Sequence, residues 1–203
     1  MTWFDAIAAF TALFVVIDPI GLTPIFVALT AGMTPKQRRA VAIRACLIAA
    51  GLLVVFALAG EQVLGFLGIS MPAFRIAGGL LLFLTALEML FEKRTERREG
   101  QAEAPPPDPS VFPLALPLTA GPGAIATMIL LTDEAGAVGT ASAIGVMLSV
   151  IAVVFALFQA AGPLERILGG TGINVVTRLL GMLLAALSVQ FVLDGISGVW
   201  PAG

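Results

Sequence analysis

The chain has 203 residues, of which 59% are hydrophobic and only 12% are charged, and its mean hydropathy is +1.03. Soluble domains have about 45–50% apolar and about 25% charged residues, so this composition predicts a membrane protein. The net charge of −2 argues against nucleic acid as a partner. With no histidine and one cysteine, the sequence excludes a His/Cys metal cluster, a Ser-His or Cys-His couple and an internal disulfide, and it indicates no cofactor.

Six apolar stretches are long enough for membrane-spanning helices, which need about 20 residues each. The predicted fold class is therefore all-α, a polytopic membrane protein with six transmembrane helices. The segment 92–110 is charged and then proline-rich, without apolar periodicity, which predicts a flexible linker. The predicted spans, in chain order, are 3–30, 40–60, 71–91, 111–132, 138–162 and 174–198.

Loop charges predict the orientation. No Lys or Arg precedes Lys36, so the N-terminus lacks the basic region of a signal peptide and is predicted to be a retained span. The loops after spans 1, 3 and 5, with the adjoining helix ends, hold ten of the eleven basic residues, and Arg75 is on the other side. The positive-inside rule then places those loops in the cytoplasm and both termini outside.

An internal repeat divides the chain. A shift of 103 residues places Pro19 on Pro122, Arg75 on Arg178 and Gly78 on Gly181. Each half holds three spans, and an odd number gives the halves opposite orientations, so the chain is predicted to be a 3+3 inverted repeat. The predicted divisions are a first repeat at 1–91, a cytoplasmic linker at 92–110 and a second repeat at 111–203. Inverted repeats with interrupted helices are typical of secondary transporters.

Prolines interrupt the first and fourth spans at related places. Pro19 and Pro24 lie in the first span, and Pro122 lies in the fourth between Gly121 and Gly123. Proline lacks an N–H and so leaves a carbonyl of the preceding turn without its donor. Such breaks persist in a membrane only inside protein or beside a polar cavity, so both are predicted to meet near the bilayer centre.

The two breaks predict a small binding site with two electrical poles. Half-helix N-termini offer N–H groups and C-terminal ends offer carbonyls, which suits a small zwitterion, with threonine hydroxyls as further donors. The alternative is that proline and glycine serve only close helix packing. The predicted substrate- or ion-binding residues are Asp18, Pro19, Gly21, Thr23, Thr119, Gly121, Pro122, Gly123 and Thr127.

Three segments resemble the MarC family of bacterial and archaeal inner-membrane proteins. They are DPIGLTPIF (18–26), GISMPAFRIAGGLLLF (68–83) and FPLALPLTAGPGAIATMI (112–129), and the likeness extends over nearly the whole chain. The resemblance implies a bacterial inner-membrane protein with the architecture of the LysE-type transporter superfamily. Some relatives move glycine or alanine with an ion gradient, and the resemblance implies the same activity here. The family more often has Asn-Pro at Asp18–Pro19, so it implies no proton-coupling role for Asp18.

Three ionisable residues are candidates for function. Asp18, near mid-span, is expected to bind a coupling cation or the substrate ammonium or to carry a proton, or alternatively to hydrogen-bond backbone N–H groups at the break. Arg75 and Arg178 begin the third and sixth spans, where a cation opposes the helix dipole, so each is expected to have a partner. They are candidate gates paired with an acid or with broken-helix carbonyls, and the alternative is snorkelling to the headgroups.

These features predict a secondary transporter of small neutral solutes, coupled to H+ or Na+, with alternating access around a midplane site. The expected partners are the lipid bilayer, the small-molecule substrate and the coupling ion, and no enzyme activity is expected. A non-transporting structural or assembly protein is one alternative. An intramembrane enzyme using Asp18 and Asp194 as a carboxylate dyad is another, although Asp194 is predicted near the outer end of its span.

Overall fold

The computed structural model describes residues 3–91, 93, 108–133 and 136–200. These residues form eight helical segments and no strand, which confirms the predicted all-α fold class. In chain order the segments are α1 (Trp3–Ile17), α2 (Pro19–Leu29), α3 (Pro35–Phe66), α4 (Met71–Leu90), α5 (Ser110–Thr119), α6 (Pro122–Thr132), α7 (Gly136–Gln159) and α8 (Ala161–Val199). Seven are α-helices, whereas α5 is a wider, irregular helical segment.

The helices account for the six predicted spans. Asp18 separates α1 from α2 within the first span, and α5 meets α6 at a bend of 56° within the fourth. Within the described residues, five helices are long and apolar enough to cross a bilayer, and the bent pair makes a sixth when it is taken as one span. The polytopic membrane fold with a broken first and fourth helix is therefore confirmed.

Two predicted span boundaries were wrong. The second span extends over the 32 residues of α3 instead of 40–60, because Thr34 and Gln37 form a reciprocal capping box that starts the helix upstream of its apolar part. The sixth begins earlier than residue 174, because α8 continues through a kink at Gly169, whose φ of 60° suits glycine. The polar first turn of α3 is a part of the helix that a search for apolar stretches leaves out.

The internal repeat is visible in the helix ends. Both α2 and α6 have 11 residues, and the 103-residue shift takes the first residue of α2, Pro19, to the first residue of α6, Pro122. The same shift takes Thr30, the C-cap residue of α2, to Asp133, the C-cap residue of α6. The repeat detected from a few identities thus reproduces the limits of both half-helices.

The helix contacts follow the pattern of an inverted repeat. α3 contacts α5 and α6, and its counterpart α7 contacts α1 and α2. α4 and α8 pack along one another in antiparallel fashion, since Gly79 lies against Ser188 and, further along α4, Met89 lies against Gly181. Antiparallel packing of counterpart helices is what two halves of opposite orientation require.

Asp108 and Ser110, at the end of the predicted linker, hold the start of α5. Most of the predicted linker 92–110 lies outside the described residues, but Asp108 and Ser110 are described, and Ser110 is fully buried at the start of α5. The Asp108 carboxylate accepts hydrogen bonds from the Ser110 hydroxyl and backbone N–H, at 2.6 and 3.0 Å, and pairs with Arg44 of α3. These bonds lower the pKa of Asp108, first through Ser110 and then through the Arg44 charge. They attach α5 to α3.

Candidate functional site

Asp18 joins the two parts of the broken first span. Its backbone N–H donates to the Phe14 carbonyl at 2.9 Å, and its own carbonyl accepts from Leu22 at 3.1 Å, so it ends α1 and caps α2. It is fully buried and has φ 57°, the one positive φ of a non-glycine residue in the described chain. A left-handed conformation costs an L-residue about 1 kcal/mol, and aspartate tolerates it because its short side chain can hydrogen-bond locally.

The Asp18 carboxylate caps the start of α2. Oδ1 accepts a hydrogen bond from the Gly21 N–H at 3.1 Å. A Cβ at Gly21 would lie 2.2 Å from Asp18 Oδ2, so only glycine leaves room for the carboxylate in this position. The structure therefore shows the capping arrangement that sequence reasoning gave as the alternative for Asp18.

Pro24 does not interrupt its helix. It lies inside α2, so the break in the first span is at Asp18 and Pro19 alone, and the expectation of two breakers there was wrong. A single internal proline removes one backbone hydrogen bond and kinks a helix without necessarily ending it.

The second break lies between α5 and α6. Gly121 is the cap residue of α6 and Pro122 is its first residue, where the missing N–H of proline leaves no donor unused. A Cβ at Gly121 would lie 2.5 Å from the Pro117 carbonyl oxygen, so the turn requires glycine. Within the described residues, no side chain caps this helix start.

The two breaks lie beside one another. A Cβ at Gly123, in the first turn of α6, would lie 3.2 Å from Val16 Cγ1, two residues before Asp18, and 3.1 Å from Leu82 Cδ2 of α4. A cavity of about 50 Å³ lies at this junction, lined by Val16, Thr85 and the segments 117–119 and 121–124. A water needs roughly 10–15 Å³ of such space, so the cavity has room for a few waters or a small polar group.

The internal repeat relates this cavity to Asp18. The 103-residue shift takes Asp18 to Gly121 and Gly21 to Ala124. In the first half, a carboxylate accepts the N–H of the first helical turn. In the second half, the corresponding place has no side chain, and the cavity borders the same turn. An uncapped helix start beside a polar cavity is suited to a carboxylate supplied from outside.

The predicted threonine donors already donate to the backbone. The hydroxyls of Thr23, Thr119 and Thr127 donate to the carbonyls of Pro19, Leu114 and Gly123, at 3.1, 2.8 and 2.8 Å. Their remaining capacity toward a ligand is as acceptors, which suits an ammonium group and not an anion.

Only some of the predicted site residues line the cavity. Thr119, Gly121, Pro122 and Gly123 line it, whereas Asp18, Pro19, Gly21, Thr23 and Thr127 belong to the adjoining helix turns. One lining residue, Thr85 of α4, is absent from the sequence prediction. Its hydroxyl donates to the Leu81 carbonyl at 3.0 Å and so presents acceptor lone pairs. In the sequence, Thr85 is recognisable just as one hydroxyl-bearing residue within a long apolar span.

Arg75 has an acidic partner. Its guanidinium pairs with the carboxylate of Asp133, the residue that ends α6, and the side chains are 30% and 6% exposed. Arg75 thus links α4 to the broken helix, as a partnered cation at a helix start was expected to do. Arg178 is exposed and lies well inside α8, so the expectation that it begins its helix was wrong. Within the described residues, no group of three or more His, Cys, Asp or Glu could hold a metal ion.

The family model for MarC family integral membrane proteins matches residues 3–200. The chain belongs to the MarC family. A UPF0056 membrane protein of Methanocaldococcus jannaschii is 38% identical over 197 residues, covering 95% of this chain and 96% of the relative. The inner membrane protein YhgN of Escherichia coli is 35% identical over 199 residues, covering 98% and 99%, and YvbG of Bacillus subtilis is 35% identical over 201 residues, covering 95% and 94%. No solved structure matches the chain.

Proposed function

We propose that this MarC family member is a secondary transporter of small neutral amino acids, of the glycine and alanine class. The observation that carries the proposal is the cavity of about 50 Å³ at the uncapped start of α6. Substrate would bind there between the two helix breaks, and the two halves of the inverted repeat would alternate in opening it to either side of the membrane.

The cavity lining fits a zwitterion. The first-turn N–H groups of α6, at Gly123 and Ala124, suit a carboxylate, as the Asp18 carboxylate on Gly21 illustrates at the related place. The hydroxyl oxygens of Thr85 and Thr119 are acceptors for an ammonium group. No charged side chain is among the lining residues that the structure describes, so a substrate without net charge is favoured.

Asp18 is the proposed site of ion coupling. A buried carboxylate inside a membrane helix is costly and is usually functional, and this one is joined to both parts of a broken helix. Binding H+ or Na+ there would change the charge beside Gly21 and thus the stability of the α1–α2 break. Arg75 with Asp133 is the proposed gate on one face, and Arg178, at the repeat-related position, is the proposed gate on the other.

Transport is favoured over the other two functions. A purely structural protein has no need of two breaks that meet at a polar cavity. For an intramembrane enzyme, Asp18 and Asp194 would have to share a proton, yet Asp194 accepts from Gln190 at 2.8 Å and Asp18 from Gly21. We therefore propose that the chain catalyses no covalent reaction.

The proposed location is the bacterial inner membrane, with both termini outside the cytoplasm. The relative YhgN is named an inner membrane protein, and the distribution of Lys and Arg among the loops supports the orientation. The terminal residues 1–2 and 201–203 lie outside the described part of the chain.

Flux in proteoliposomes tests the proposed function. Labelled glycine and alanine should accumulate in vesicles with imposed proton or sodium gradients, whereas glycinamide, which lacks the carboxylate, should not compete for uptake. Absence of glycine and alanine flux above that of empty vesicles, under both gradients, would contradict the proposed substrate.

Two variants test the site. Gly123→Val should abolish flux, because its Cβ would already lie 3.1 Å from Leu82 and its methyl groups would fill the cavity. Gly145→Val is the matched control, since a Cβ at Gly145 would meet no atom of the described residues within 4 Å. Asp18→Asn should keep the cap and lose the dependence of uptake on the coupling gradient. Unchanged coupling would restrict Asp18 to a structural role.

A further inference from the structure

A second polar cavity lies at the start of α3 and the junction of α7 with α8. Its volume is about 360 Å³, and Pro35, Arg38, Arg39, Phe158 and Gln159 are among its lining residues. The transport site described above uses none of these residues.

The two arginines of this cavity differ from two others described in the chain. Arg44 pairs with Asp108, and Arg75 pairs with Asp133. Among the side chains that the structure describes, Arg38 and Arg39 pair with no carboxylate, although both line one cavity. Two unneutralised guanidinium groups on one wall make the cavity a site for an anion, and the planar N–H fork of arginine matches a phosphate oxygen pair. The Gln159 amide adds a further donor.

An aromatic stack supports Arg38. Its guanidinium lies over the ring of Phe26, 5.6 Å from the centroid, and Phe26 stacks on Phe158 with centroids 4.4 Å apart and planes 6° from parallel. Phe158 and Phe26 are buried, so the floor of the cavity is apolar and fixed. A cationic rim above an apolar floor suits an amphiphilic ligand with a charged head.

The depth of the cavity points to the membrane surface. Pro35 is the first residue of one candidate membrane span, and Gln159 is the last residue of another. Residues at the ends of spans lie at the level of the lipid headgroups, and this end of both helices is the side that loop charges predict to be cytoplasmic. Basic pockets at that level are suited to anionic headgroups.

The geometry points to a phosphate-binding site, and we propose that its ligand is the phosphate group of an anionic lipid. Arg38 and Arg39 would hold the phosphate oxygens, Gln159 would donate to a headgroup oxygen, and the acyl chains would lie along the apolar surfaces of α3 and α7.

Native mass spectrometry of the full chain in detergent tests the proposal. The added probes are dioleoyl phosphatidylglycerol, dioleoyl phosphatidylcholine and glycerol 3-phosphate. The wild-type chain should retain phosphatidylglycerol in preference to the other two. Arg38→Gln with Arg39→Gln should weaken phosphatidylglycerol binding by about tenfold or more, since charge-assisted hydrogen bonds are lost.

The matched control is Lys36→Gln with Lys93→Gln, which removes the same charge from side chains outside the cavity lining. This pair should bind phosphatidylglycerol within about twofold of wild type, since it removes no bond from the site. Equal weakening in both pairs would mean diffuse attraction of a basic surface and would overturn the site. Glycerol 3-phosphate binding as tightly as phosphatidylglycerol would overturn the lipid assignment.

The single variant Arg39→Gln distinguishes loss of binding from misfolding. Arg39 is exposed, so its replacement leaves the Phe26–Phe158 packing intact, whereas Arg38 contacts that stack. The single variant should fold as wild type by its thermal midpoint and still bind phosphatidylglycerol more weakly. Unchanged binding in this folded variant would remove Arg39 from the site and overturn the two-arginine proposal.

Discussion

At the scale of single residues, the conformation of Asp18 and the identity of Gly21 depend on one another. The carboxylate occupies the space that any side chain at Gly21 would need, and it accepts the N–H of that residue. In the second half the related pair is Gly121 and Ala124, so the acid and the glycine are both replaced. The joint difference has a steric reason, because a Cβ and the carboxylate exclude each other.

Gly21→Ala should therefore destabilise the chain by about 1–3 kcal/mol through overpacking against Asp18. The double variant Asp18→Gly/Gly21→Ala, which reproduces the pair of the second half, should recover part of that loss, because glycine also suits φ 57°. Thermal unfolding midpoints in detergent measure both. A Gly21→Ala midpoint equal to wild type would show that the carboxylate moves freely.

The lowered pKa of Asp108 predicts a pH dependence. A depressed folded-state pKa adds stability above the unfolded value, near 3.8, and that stability is lost as the pH falls through the folded-state pKa. The midpoint difference between wild type and Asp108→Asn should be constant from about pH 7 to pH 5 and should shrink below about pH 4. A difference that shrinks already near pH 6 would indicate another titrating group.

At the scale of elements, α4 and α8 form a closely packed antiparallel pair. A Cβ at Gly79 would lie 2.8 Å from the Ser188 carbonyl oxygen, which is a backbone atom and cannot move aside without bending α8. Small residues at such crossings permit close approach in membrane helices, where packing and not hydrophobicity drives association.

Gly79→Val should consequently lower the free energy of unfolding by about 1–3 kcal/mol. For a chain of this size, each kcal/mol lowers the thermal midpoint by roughly 2–4 °C. Gly51→Val in α3 is the control, because a Cβ there meets no atom of the described residues within 4 Å. Equal midpoints for the two variants would mean that α4 and α8 separate easily.

The sequence alone predicts where the two helix breaks lie, but it does not predict which residues of other elements lie beside them. Pro19 and Pro122 identify both interruptions because the missing N–H of proline acts locally, on its own helix. Thr85 and Asp133 could not be assigned to the breaks in the same way. Their roles depend on how α4 packs against α6, and a threonine in an apolar span or an aspartate after one fits ordinary helices equally well.

The start of α3 and the form of α5 were also beyond local prediction. A capping box places charged residues in the first turn of α3, where apolar periodicity gives no signal. In α5, extended backbone at Phe112 and Leu116, each before a proline, interrupts what composition indicates as a regular span. Thus the number and order of the spans follow from hydropathy, whereas the irregular segments near the site follow from backbone geometry.

For the whole molecule, the orientation in the membrane can be tested by labelling. In a Cys46→Ala background, Lys36→Cys should react with an impermeant maleimide only from the cytoplasmic side, and Trp200→Cys only from the outside. Both positions are exposed, so the reagent can reach them. Labelling of both from the same side would contradict the odd number of spans that is predicted between them.

The replacement of Asp18–Gly21 by Gly121–Ala124, together with Thr30 by Asp133, has a consequence for the energy of the molecule. In a perfectly symmetric inverted repeat, exchanging the conformations of the two halves gives a state that is related to the first by the two-fold axis and has identical energy. These differences remove that degeneracy, since the Asp18 carboxylate caps α2, whereas no side chain of the described residues caps α6, and Asp133, which pairs with Arg75, has Thr30 as its counterpart. We therefore expect the two states proposed for alternating access to differ in free energy, with these few positions contributing to the difference.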